Sequence, residues 1–593
     1  MNTHSIDEFV FNTSVRETTT EKVSVPHKEL SKDSDDDDEK RTPLNITTKK
    51  YYESNAGDGT IATDHHLQGT QLWLTLASCF ITLFVSALDQ TIVVTIFSTV
   101  GNEFNAFDRI DWLTSGYLLP MCVLSPTYGK ISIAFGRKST LIAGISVFEI
   151  GSIISALATS MDMLIAGRVV QGLGAGCIAT LISIIVTESV PISYRSYSLS
   201  MLAIAYAFAS VAGPFIGGAF TTHVTWRWNF YLNLPTGGIS LLILIFSYHP
   251  PKIRGRFIDN VKKIDYLGNI LLILGLVLFL LGLTFGGSSF AWFSAPVLIC
   301  LIFGVFFIVA FAFENFFVSK SPIFYKEFFQ IPQILFSGLS GFFNYAFFLG
   351  NITYLTVYFQ IILNHSAFQS GIDLLPLIIS VTIAAFINGV LIKKTRFVKP
   401  YYILSGVFGA IGGGLLLMLG RETPFHKRMG YLIAMGCSVG LQIQSTIISC
   451  QLKAPNDLTG SLILVTTWAN FSRFLGGTMG IILATVIFQA SSTSSITKII
   501  EALPYETKKQ FANISAQAFL SSPKEIQKLP VDVQQQIFDK LMEAIHNTFI
   551  FGLASASTGL VCSIFATNKR IPKDEDILHK GDETEALVPS SEA

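Results

Sequence analysis

Residues 164–187 read Leu-Ile-Ala-Gly-Arg168-Val-Val-Gln171-Gly172-Leu-Gly174-Ala-Gly176-Cys-Ile-Ala-Thr-Leu-Ile-Ser-Ile-Ile-Val-Thr. One charge interrupts an apolar run long enough, as a helix, to cross the roughly 30 Å hydrocarbon layer, which takes about 20 apolar residues. The same measure, carried outward along the 593 residues, finds spans near 71–98, 113–131, 139–158, 164–187, 199–221, 229–248, 267–285 and 295–317. Six more follow near 334–361, 372–392, 402–420, 430–449, 461–489 and 548–567. Their apolarity is continuous rather than alternating, which excludes a closed β-barrel. The expected fold class is all-α, a polytopic membrane protein of fourteen spans.

Composition agrees. The chain is 50% apolar and 14% charged, with a mean hydropathy of +0.51, where a soluble chain carries about 25% charge. Of the 82 charged residues, 45 lie before residue 70, between 491 and 547, or after 567, which leaves about 8% charge over the other 441 positions. No wettable surface can be built from that remainder, so a soluble enzyme, a nucleic-acid binder and a secreted disulfide scaffold are excluded. The seven cysteines stand scattered in apolar stretches without a CxxC or Cys/His cluster and read as small buried residues. No metal or other cofactor is expected.

Residues 1–69 lack an apolar signal-peptide core and contain the run Asp35–Glu39, so they are expected to be a disordered acidic tail. Residues 568–593 have the same character. Sixteen Lys and Arg, among them Lys130, Arg137, Lys138, Arg195 and Lys393, fall in loops on the side of the N-terminal tail. Five (Arg109, Arg227, Arg421, Lys427 and Arg428) fall in the short loops opposite. That asymmetry places both termini in the cytosol. Segment 491–547 then faces outward as a small cap in which Asn513-Ile-Ser is a glycosylation candidate.

Three stretches carry chemistry. Gly129-Lys-Ile-Ser-Ile-Ala-Phe-Gly136-Arg137-Lys138 is a glycine-flanked basic turn between spans two and three, its cations expected in the headgroup zone. Arg168 stands inside span four, where a guanidinium is expensive unless it faces a cavity or a partner. The plain alternative is an arginine reaching back to the outer face. Span five contains Gly213-Pro214-Phe-Ile-Gly217-Gly218, a kink site with room for close packing. It is followed by the aromatic belt Trp226-Arg-Trp-Asn-Phe-Tyr-Leu-Asn233-Leu-Pro235.

On these residues the chain resembles the major facilitator superfamily, within its fourteen-span fungal drug:proton antiporter branch of azole- and dye-resistance pumps and vacuolar basic-amino-acid permeases. Gly129–Lys138 is similar to the family's motif A, Arg168–Gly176 to motif B and Gly213–Gly218 to the antiporter motif C. Leu88-Asp89-Gln-Thr-Ile92-Val resembles a signature of the branch. The resemblance implies one six-helix bundle over 70–248 and two extra spans within 249–333. It implies a second six-helix bundle over 334–567 and a substrate site between the bundles. There are departures. Ile133 stands where motif A has an acid, Ala134 where it has a base, and Ala209 replaces the first glycine of motif C.

Nothing matches the phosphate-binding pattern GxxxxGK[ST], so an ion gradient is the expected fuel. A proton needs titratable groups at membrane depth, and the candidates are Asp89 and Glu149, with Arg168 as modulator. The expected function is a proton-coupled antiporter of small organic molecules, either toxic cations and drugs or basic amino acids, for which Arg168 is available to meet a carboxylate. The alternative is a non-transporting nutrient sensor on the same scaffold. Expected partners are substrate, protons and the bilayer, with no nucleic acid and the chain a monomer. The vacuolar or the plasma membrane is the expected location, and Glu39-Lys-Arg-Thr-Pro-Leu44 resembles a vacuolar sorting signal.

Overall fold

The computed structural model describes residues 56–573 apart from 58–59, 61, 105, 107–108, 252–260, 262–263, 288–289 and 502–530. Asn513 and the two tails beyond these limits lie outside the described residues. Within a bilayer no water satisfies the backbone, so each apolar run closes its own hydrogen bonds as a helix. The principal helices are α1 Gly69–Ile92, α2 Asp111–Phe135, α3 Arg137–Ala156, α4 Met161–Glu188, α5 Arg195–His223 and α6 Asn233–Ser247. The extra pair is α7 Tyr266–Phe285 and α8 Ala295–Phe313. The second set is α9 Pro332–Val357, α10 Leu375–Thr395, α11 Lys399–Leu416, α12 Phe425–Gln451, α13 Ser461–Glu501 and α14 Val531–Ser563.

Among the described residues thirteen helices are long and apolar enough to cross a membrane. The expected span near 402–420 is α11, which falls short on composition because it opens on Lys399-Pro400 and carries a glycine-rich middle. It nonetheless packs against α12 and α14 as a full member of its bundle. The last helix starts at Val531, so the polar stretch up to Glu543 is the first part of α14 instead of a separate element.

Local chemistry sets the joints. Gly136 has φ +90°, which a side chain would strain, and ends α2 one residue before α3 begins. Ser160 caps α4 by accepting from the Met163 amide at 3.2 Å, and Asp265 caps α7 through the Gly268 amide at 2.8 Å. Helix α4 is the hub of the first bundle. A Cβ added to Gly172 or Gly176 would press on the backbone carbonyls of Tyr117 and Met121, and one at Gly174 on the backbone of Phe148. These glycines let α2 and α3 close on α4. The outermost helix is α8, whose Phe303, Phe306 and Phe313 are exposed as a lipid-facing surface.

Arg137 marks one end of the bundles and Trp226 the other. At the Arg137 end one continuous core joins both bundles, with Leu199 and Leu202 of the first set beside Ile392, Ile447 and Val465 of the second. Polar contacts accompany it. Ser196 Oγ donates to the Gly389 carbonyl at 3.1 Å, and Gln444 Nε2 donates to Ser200 Oγ at 3.0 Å. At the Trp226 end the cores are separate, one around Ile96, Leu113 and Phe230, the other around Phe347, Leu432 and Phe549. The α5 flank stays in contact there through Pro214 against Gly371 and Phe215 edge-on to Phe368 at 4.8 Å. The extra pair rides the α2/α13 flank, held by Thr127 Oγ1 to Asn269 Oδ1 at 2.5 Å.

Candidate functional site

Asp89 near the end of α1 and Arg168 in α4 form a buried ion pair, with side chains no more than 1% exposed. The pair is held from both sides. Arg168 Nε donates to the Leu113 carbonyl at 3.0 Å, its Nη1 also donates to Gln171 Oε1 at 2.9 Å, and its guanidinium lies 4.4 Å from the Tyr117 ring centroid. The other oxygen of Asp89 accepts from Gln171 Nε2 at 2.9 Å and Asn233 Nδ2 at 3.0 Å. Ser152 Oγ of α3 takes a second bond from each amide, at 3.0 and 3.1 Å. One carboxylate thus ties α1, α4 and α6, with α3 behind. Arg168 does not reach back to the surface, and its Nε and Nη1 are committed.

Glu149 lies on α3, one turn before Ser152. Both its carboxylate oxygens are buried without a partner. Room for the carboxyl exists because residue 237 is glycine, since a Cβ there would collide with Glu149 Oε1. Glu149 stands within electrostatic reach of Asp89.

The basic turn is built differently from the expectation for its cations. Arg137 is buried and makes a two-pronged pair with Glu188 at the end of α4, Nη2 to Oε1 at 3.0 Å and Nε to Oε2 at 3.1 Å. Its Nη2 also donates to the Ala56 carbonyl at 2.8 Å. Lys138 is half-buried, and its Nζ donates to the Ile245 carbonyl at 2.7 Å. Gly129 faces the second bundle, where a Cβ would collide with Thr467. Ile133, at the place of the usual acid, packs between Gly57 and Gly460. The departure from motif A therefore exchanges a charge contact for an apolar one, and Arg137 finds its acid at Glu188.

In the kink of α5, Gly213 and Gly217 face Thr91 and Ile92 at the end of α1 and Thr95 in the helical turn that follows it. Pro214 faces Gly371 in the short helix Ala367–Asp373, and a Cβ at Gly218 would meet nothing within 4 Å. Ala209 is buried there, and its carbonyl accepts from Thr91 Oγ1 at 3.1 Å. The second bundle's interior is mostly neutral, an amide and hydroxyl network in which Gln442 joins Ser405 at 2.7 Å and Asn388 meets Gln444 at 3.0 Å. Two charged side chains are buried there among the described residues, Asp373, which meets His365 Nδ1 at 2.5 Å, and Arg473 of α13, 6% exposed.

Gln171 and Asn233 were present in the motif stretches without an assigned role, and Ser152 and Tyr117 were not singled out. Gln171 and Ser152 each follow a candidate charge by three residues, which puts them on the same helix face. That spacing was the available signal.

Residues 79–481 match the sequence profile of the Major Facilitator Superfamily. The chain is 34% identical over 553 residues to "Vacuolar basic amino acid transporter 5" of Saccharomyces cerevisiae, covering 86% of this chain and 93% of that protein. It is 30% identical over 585 residues to "Azole resistance protein 1" of the same yeast, covering 90% and 94%. Among solved structures it shares the fold of the proton:xylose symporter XylE, with a TM-score of 0.51 at 12% identity over 82% of this chain and 94% of that one. Helices, profile and relatives agree that this multi-pass membrane protein belongs to the Major Facilitator Superfamily.

Proposed function

We propose that the chain is a proton-coupled antiporter of small organic molecules, working in the vacuolar or plasma membrane with the Arg137 end in the cytosol. The observation that carries this reading is the Asp89–Arg168 pair with the unpartnered Glu149 carboxyl beside it. An ionised carboxylate without a partner in an apolar site is costly. Glu149 therefore holds a proton in this arrangement, while Asp89 keeps its charge against Arg168.

Neutralising Asp89 removes the acceptor that gathers Arg168, Gln171 and Asn233, so proton uptake there loosens α1 from α4 and α6. Losing the proton draws them together again. The kinked α5, packed along α1 through Gly213 and Gly217, carries that change toward the second bundle. The joined core at the Arg137 end and the divided cores opposite support one half of an alternating cycle, with the path open on the Trp226 side. The relatives named for basic amino acids and for azole resistance support small organic molecules as cargo, and the basic loops support the cytosolic placement of the termini.

The test is uptake into proteoliposomes with an acidic lumen, comparing radiolabelled lysine and a lipophilic cationic dye with and without a protonophore. Accumulation abolished by the protonophore is expected. Gradient-driven flux that survives in an Asp89→Asn, Glu149→Gln double variant overturns the assignment of the proton site.

A further inference from the structure

Four arginines are buried in side-chain packing among the described residues. Arg137 has Glu188, Arg168 has Asp89, and Arg195 donates its Nε to the Thr187 carbonyl at 2.7 Å. Arg473 has no acid among the described residues. It lies twelve residues into α13, roughly 18 Å from the start of that helix, and so near the middle of the span. Its guanidinium covers the Tyr345 ring at 4.7 Å, and its Nε has no hydrogen-bond partner. One turn earlier the Nδ2 of Asn470, in a side chain 1% exposed, is also without a partner. From the first bundle, Tyr206 of α5 comes within electrostatic reach of both Arg473 and Tyr345. Unmet donors from one helix therefore gather where the two bundles face each other.

A guanidinium buried at membrane depth without an anion is expensive, and stacking on one tyrosine offsets only part of that. The missing partner is an acceptor-rich, negatively charged group, and the planar fork of a guanidinium fits a carboxylate on two oxygens. Such a site repels a cation that lacks a carboxylate.

We infer that Arg473, assisted by Asn470, holds the carboxylate of the transported molecule, so that the cargo is an amino acid and not a lipophilic cation. This rests on the transporter reading above, and it moves the carboxylate contact from Arg168, whose charge is already met by Asp89, to the second bundle.

The test compares L-lysine with cadaverine, which is lysine without its carboxylate, using the purified full-length chain. In detergent, thermal stabilisation by each compound reports binding with no proton gradient. In proteoliposomes, each compound competes against labelled lysine. For the wild type, cadaverine is expected to be weaker than lysine by about 10- to 100-fold, the worth of a charge-assisted contact. Arg473→Gln is expected to abolish the difference, weakening lysine while cadaverine binds no less tightly than to the wild type, and Arg473→Lys to recover part of the difference.

Equal stabilisation by lysine and cadaverine in the wild type overturns the inference, and that measurement requires no variant to fold. So does an Arg473→Gln protein that loses both compounds equally. Discrimination between lysine and cadaverine that persists while uptake ignores a protonophore supports the carboxylate site and overturns proton coupling instead, so the two failures are distinguishable.

Discussion

Asp89 and Glu149 are both carboxyls inside spans, yet their surroundings assign them opposite sensitivities. Asp89 is the counter-charge of a buried guanidinium and the shared acceptor of two amides. Asp89→Asn strands Arg168 as an unpaired cation, and a loss of about 3–5 kcal/mol is expected, the usual result of removing one member of a buried pair. Adding Arg168→Gln should restore much of the stability and none of the transport, as read by thermal unfolding beside flux. Glu149→Gln removes no hydrogen bond, because the carboxyl makes none. Its expected stability change is within about 1 kcal/mol, while the pH dependence of uptake flattens.

The charged pair was legible in the sequence because a charge inside an apolar run has few innocent explanations. Gln171, Asn233 and Ser152 were not, since amides and hydroxyls are ordinary in spans. Their shared target lies 82 positions from Gln171 and 144 from Asn233, a separation that no local pattern encodes. Arg473 was visible as a charge, but its lack of a partner is a fact of three dimensions.

Helix by helix, glycine positions that look alike in the sequence differ in what they touch. Gly172 of α4 has the Tyr117 carbonyl where a Cβ would go, and a backbone atom cannot swing aside. Gly172→Ala is expected to cost about 1–3 kcal/mol through overpacking. Gly218 of α5 has open space in all directions, so Gly218→Ala should be neutral or stabilise by up to about 1 kcal/mol. Thermal midpoints of the two variants in the same detergent decide this.

The number and order of the helices were readable from apolar length alone, since the bilayer imposes that length on every span. The start of α14 was not, because outside the hydrocarbon layer a helix continues on polar residues without a hydropathy signal. The glycine-diluted α11 marks the other limit, a helix whose buried face is built largely of the glycines Gly406, Gly409, Gly412 and Gly413, which let its neighbours close in but lower its hydropathy.

For the molecule as a whole, the bundles are joined at one end and divided at the other, so a bond fixed across the joined end should arrest the cycle. An ideal Cβ at Gly389 lies 3.3 Å from the Cβ of Ser200, close to the range of about 3.5–4.5 Å that a disulfide spans. In a Ser200→Cys, Gly389→Cys protein, oxidation is expected to abolish uptake and a reducing agent to restore it. Each single variant should be indifferent to both treatments. Uptake that continues through the oxidised protein would mean that this end does not open during transport.

The joined core also orders events in time. Leu202 is synthesised long before Ile392, Ile447 and Val465, the residues that complete its core. At about 5–20 residues per second the interval is on the order of tens of seconds. For its apolar members the wait is mild, because lipid tails receive them as readily as another helix. The hydroxyl of Ser200 has no such reception, and its bond to the Ser196 carbonyl at 2.9 Å, one turn back on its own helix, keeps it satisfied from the first seconds of membrane life until Gln444 arrives from the ribosome.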